Sequence, residues 1–177
     1  MENEELDYNG TTDAETGSDE LLSDDNLRLP ESANVLVRLH AVNAWLARRH
    51  DDMAIEVGTA ALEMQQAMSG AQDELRPRRR AHQQAETTSR VARAQQQLAD
   101  AQQRLGAIEE ARALLEDCTA HTNGERVLVE YYLAVEQLLL DNGYSLSDDT
   151  PTRHTPWFDT MVEVLQRVEH VGTPQED

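Results

Sequence analysis

The chain has 177 residues, of which 39% are hydrophobic and only 4% aromatic, and it carries a net charge of −19. An apolar fraction this low falls short of one large globular core and points to elongated helices, each burying a single stripe. The acidity disfavours nucleic acid and anionic membrane as partners, and no apolar run approaches the roughly 20 residues that span a bilayer.

Cys118 stands alone, so no internal disulfide can form. The opening Met1-Glu2-Asn3-Glu4-Glu5 lacks the basic and apolar regions of a signal peptide. Cytoplasm is the expected location. All 15 basic residues are arginine, as coding bias in a GC-rich genome would give.

Residues 1–31 hold eleven acids and one base, Arg28. Isolated leucines in such a segment bury too little surface to offset ordering entropy, so a disordered acidic tail is expected. A short linear motif around Leu21-Leu22-Ser23-Asp24-Asp25 is the sharper alternative.

Residues 32–76 read as a helical segment. Val35, Leu39, Val42, Leu46 and Met53 recur at helical spacing, and Val57, Ala61, Met64 and Met68 form a second stripe in another phase. The change falls at Arg49-His50-Asp51-Asp52, where an aspartate would cap a new helix. Two helices meeting there, or one long helix drifting in phase, both fit. Gly70 and Pro77 then favour a break.

Residues 77–122 form the predicted coiled-coil helix. Val91, Leu98 and Leu105 make one seven-residue ladder, continued by Arg112, while Ala94, Ala101, Ile108 and Leu115 make another. Their alternation places both on one narrow seam. Flanking positions such as Gln95, Gln97, Gln102 and Arg104 offer few opposed charges to select a different partner. The seam is therefore expected to pair with a second copy of the chain, in parallel or antiparallel sense. A surface helix of a bundle is the plainer reading.

Asn123-Gly124 ends that helix. Residues 123–172 then read as a helical hairpin: Leu128, Tyr131, Tyr132, Val135, Leu138 and Leu139 line one face, stopped by Asn142-Gly143. The last helix starts at Thr155 as N-cap with Pro156 in its first turn, and carries Phe158, Met161, Leu165 and Val168. Two such hairpins in a dimer would make a four-helix bundle. Residues 173–177 are an expected disordered tail. The fold class is all-α.

Phosphate-loop, dinucleotide, zinc-protease and nucleophile-elbow motifs are missing, and the six histidines are scattered. No catalysis, cofactor or metal is expected. Arg76, Arg78, Arg79 and Arg80 form the one basic cluster, within a stretch, 76–112, of eight arginines and four acids. This cluster and Trp157, whose aromatic ring is of the kind that anchors interfaces, are the candidate partner surface.

The order of parts, acidic start, long coiled-coil helix and short helical bundle, resembles GrpE-type nucleotide exchange factors. Val127-Leu128-Val129-Glu130-Tyr131-Tyr132-Leu133-Ala134-Val135-Glu136-Gln137-Leu138-Leu139 is similar to that family's first bundle helix. Trp157-Phe158-Asp159-Thr160-Met161-Val162-Glu163-Val164-Leu165 is similar in character to its second. The resemblance implies a homodimeric cochaperone of a DnaK-type chaperone. The family's aromatic-Glu-Asn-x-(Arg/Lys)-(Arg/Lys) signature and its C-terminal β domain have no counterpart here, and no contact residue carries over. A non-catalytic dimeric adaptor that binds another protein is thus the leading expectation. A scaffolding coiled-coil protein of a larger assembly, such as a phage or bacterial compartment, is the alternative, and a DNA-associated regulator the third.

Overall fold

A computed structural model describes residues 29, 33–74, 81–124, 126–144 and 154–172. The acidic tail, its Leu21-Leu22 motif, the arginines at 76, 78, 79 and 80 and the last five residues lie outside them. Four helices follow in order: α1 (Val35–Glu74), α2 (Ala81–His121), α3 (Val127–Asp141) and α4 (Pro156–Gly172). No strand occurs among the described residues, and none of the described helices is long and apolar enough to cross a membrane.

Local chemistry sets three of the ends. Asn34 caps α1, its side-chain oxygen accepting the Val37 amide at 2.9 Å. Asn142 and Gly143 stop α3. Gly143, at φ 79°, adopts the left-handed turn, and the Tyr144 and Gly143 amides donate to the Leu139 and Leu140 carbonyls at 3.0 and 2.9 Å. That pairing satisfies carbonyls the helix end would otherwise leave open. Thr155 caps α4 as the sequence predicts, accepting the Phe158 amide at 3.2 Å.

α1 is one uninterrupted helix, so the boundary considered at Arg49–Asp52 does not occur. It runs antiparallel to α2. Arg104 on α2 pairs with Glu56 on α1, and the His50 ring lies 3.9 Å from Glu109. This register sets Leu46, Met53, Ala60 and Ala67 alongside Leu115, Ile108, Ala101 and Ala94, all of them buried. Val91, Leu98, Leu105 and Arg112 flank that line half-buried.

The predicted seam is therefore real as a stripe, but α1 of the same chain covers it. The expectation that a symmetry mate buries it is corrected on this point. The second ladder needed to build an antiparallel coiled coil is already present in α1, partly disguised because two of its members, Ala60 and Ala67, are only alanine.

The molecule has two unlike ends. At one, α3 and α4 pack on the N-terminal half of α1 and the C-terminal half of α2 around Val42, Leu46, Ile108, Tyr131, Leu139 and Met161. A four-helix core thus forms within a single chain, where the sequence suggested that two α3–α4 hairpins would supply it. At the other end α1 and α2 continue alone as an arm with alanines at its seam. Small side chains bury little area per residue, so the arm gains far less than the leucine- and aromatic-filled core.

Candidate interaction surfaces

Trp45 marks the junction of α1 and α4. Only 2% exposed, it has the Arg49 and Arg167 guanidiniums 6.0 and 5.8 Å from its ring, within cation–π range. Arg49 also pairs with Glu163 of α4 at 2.6 Å. Arg38, also buried, donates to the Ala33 and Val171 carbonyls and so ties the first turn of α1 to the last turn of α4. These contacts use the arginines to lock helices together.

Trp157 takes a similar internal role. Its indole N–H donates to Glu110 of α2 at 2.9 Å, and its ring stacks on Tyr144 at 5.8 Å. Tyr144 also stacks on the buried Phe158 at 4.4 Å and its hydroxyl bonds Thr155 at 2.9 Å. Half-buried and held on both sides, Trp157 works as a brace for the start of α4. The structure does not bring it together with the seam positions into one site: Val91, Ala94, Leu98, Ala101, Leu105, Ile108 and Leu115 line the opposite, α1-facing side of the chain's packing.

Burial pushes the Cys118 thiol up, reinforced by the nearby Asp117 and Glu130 charges. Such a thiol is a poor nucleophile. Burial likewise raises the Tyr131 hydroxyl well above its ordinary range, with Cys118 adding to the effect. That hydroxyl has no hydrogen-bond partner. Among the described residues, no group of three or more His, Cys, Asp or Glu is placed to hold a metal.

Three surface features remain. A furrow of about 620 Å³ lies between α1 and α2 near the four-helix end, with Leu36, Leu39 and Leu115 along it and His40, Arg112 and Glu116 beside them. On α3, Val129, Leu133 and Leu140 point outward, 57%, 49% and 49% exposed. On the arm, Ile55 and Leu62 are 69% and 60% exposed, one heptad apart on the side of α1 away from α2.

Sequence reasoning passed over these outward residues because it follows the buried face of each helix. A signal was nevertheless present in α3. A helix written Val127-Leu128-Val129-Glu130-Tyr131-Tyr132-Leu133 is apolar on nearly every side, and such helices are normally covered all round.

Compared with known proteins, the chain matches no family model, no curated protein and no solved structure.

Proposed function

We propose that this chain is a non-catalytic, self-associating helical adaptor that takes a helix of a partner protein along the outer face of α3. The observation that carries the reading is the stripe of Val129, Leu133 and Leu140. These residues stand about half exposed on a helix whose opposite side is fully packed. Their spacing of four and then seven positions puts them on one side of the helix, the pattern by which amphipathic helices anchor to one another. Burying the three together would contribute several kcal/mol, at about 1.5–3 kcal/mol for each large side chain fully covered.

The most specific version of this reading is a GrpE-like cochaperone. Nucleotide release from a purified DnaK-type chaperone tests it: the full chain should accelerate release, and the Leu133→Asp variant should not. An unchanged release rate with the wild-type chain would remove the chaperone from consideration. A photo-reactive residue at position 133 tests the wider reading, with capture of a defined partner expected and its loss in Leu140→Asp.

A second reading, a scaffold of a larger assembly, is favoured by the presence of apolar faces on both α1 and α3. A molecule with two such faces can extend an assembly instead of closing it. Light scattering separates the two. A mass that levels off at two copies supports the adaptor, whereas a mass that keeps climbing with concentration supports the scaffold.

A further inference from the structure

The geometry points to a specific self-association surface: the outer face of the α1 arm, from Asp51 to Ser69, pairs antiparallel with the same face of a second copy. The inference rests on the self-association in the reading above, and it places the contact on a different surface from the Val91–Leu115 seam, which α1 already covers.

Ile55 and Leu62 are more exposed than most large apolar residues in the described chain. Between and beside them lie Gly58, Thr59, Ala61 and Gln65, all exposed and uncharged. Gly58 has nothing within 4 Å of the place a Cβ would occupy, so a second backbone can come close there. From Met53 to Gln72 the only charged residues are Glu56 and Glu63. Glu56 is turned toward α2, where Arg104 neutralises it. In a chain of net charge −19, two copies repel each other over most of their surfaces. Contact is favoured where charge is lowest and apolar area highest, and this face combines the two.

Charge also selects the direction. A two-fold contact needs a patch that is complementary to itself. With the axis between Gly58 and Thr59, Ile55 of one copy lies against Leu62 of the other, Asp51 against Gln66 and Asp52 against Gln65. Glu63 then meets Ala54. Each acid faces an amide or a methyl group, and no acid faces an acid. A parallel arrangement would set Asp51 against Asp51, Asp52 against Asp52 and Glu63 against Glu63. The glutamines thus make the face self-compatible in the antiparallel sense alone. A single helical stripe buries less than the roughly 1,600 Å² of a standard interface, so the pairing belongs in the micromolar range.

Sedimentation of the full chain across micromolar concentrations is the test, with Leu62→Asp and Ile55→Asp as variants. Both positions are exposed, so helicity by circular dichroism should be unchanged. A reversible dimer is expected for the wild type, with association weakened at least about 100-fold by Leu62→Asp, because the substitution enters the contact twice. In a Cys118→Ala background, Ile55→Cys mixed with Leu62→Cys should oxidise to the mixed disulfide, and neither alone should cross-link. A wild-type chain that stays monomeric overturns both this inference and the self-association it rests on. A wild-type dimer that Leu62→Asp leaves intact overturns the surface alone. Cross-linking of Ile55→Cys with itself overturns the antiparallel arrangement.

Discussion

The indole N–H of Trp157 and the carboxylate of Glu110 meet at 2.9 Å, joining the first turn of α4 to the flank of α2. The bond sits at the surface, so its net worth is reduced by solvent to about 0.5–1 kcal/mol. The Tyr144 ring stacked against the same indole adds packing. Glu110→Ala should therefore lower unfolding free energy only by that modest amount, while Trp157→Ala should cost about 2 kcal/mol or more, because it removes the ring as well. Chemical denaturation of the two variants checks the difference. Equal losses would mean the ring contributes nothing beyond its hydrogen bond.

The two ends of the molecule should be sensitive to opposite changes in side-chain size. Leu46 is fully buried in the four-helix core, and Leu46→Ala should cost about 2–5 kcal/mol through lost contacts and a cavity. Ala101, 1% exposed, is buried at the contact between α1 and α2. Enlarging it with Ala101→Leu should cost about 1–3 kcal/mol by forcing the helices apart. Hydrogen exchange should confine the effect of the second variant to the arm. Global loss of protection would show instead that arm and core open together.

Stability should decline on the alkaline side. Folding holds Tyr131 and Cys118 neutral, raising their pKa above the ordinary values of 10.0 and 9.0. The folded state then binds protons more tightly than the unfolded one at high pH. The resulting contribution is fully present below the ordinary values and is lost as pH rises from there toward the raised ones. Denaturation midpoints should hold steady up to about pH 8 and fall beyond it. Tyr131→Phe should shallow that fall and, by deleting a buried hydroxyl with no partner, raise stability at neutral pH by about 1 kcal/mol. A destabilised Tyr131→Phe variant would mean that the hydroxyl is bonded after all.

Gly143 is the one position with positive φ among the described residues. Any side chain there strains the turn that closes α3, so Gly143→Ala should cost about 1–2 kcal/mol. Asn is better tolerated in this conformation, and Gly143→Asn should recover part of the loss in the same thermal melt.

Much of the helical order was legible from short-range chemistry. Asn142-Gly143 and Thr155-Pro156 mark their boundaries through backbone requirements that need no knowledge of neighbours. The heptads from Val91 to Leu115 also show a stripe, but a stripe does not say what covers it. The partner was hard to see because α1 changes environment midway. Near Leu46 it packs against three other helices and needs a broad apolar face. Beyond Met53 it packs against α2 alone, and Ala60 and Ala67 suffice. That shift looks like a break in phase when large residues are followed by eye, although the helix continues. The outward residues Ile55 and Leu62 were harder still, since nothing local distinguishes an apolar residue that is buried from one left uncovered.

The bond from Arg38 to the Val171 carbonyl fixes the start of α1 beside the finish of α4, which puts both entrances to the helical body at one pole. The last residue of α1, Glu74, and the first of α2, Ala81, lie at the other. A label, tether or fused domain attached ahead of α1 or after α4 would therefore crowd the same pole and leave the distal half of the arm clear. Immobilising the protein through a label placed at the start of α1 or the end of α4 should present that half outward, in reach of whatever is brought to it.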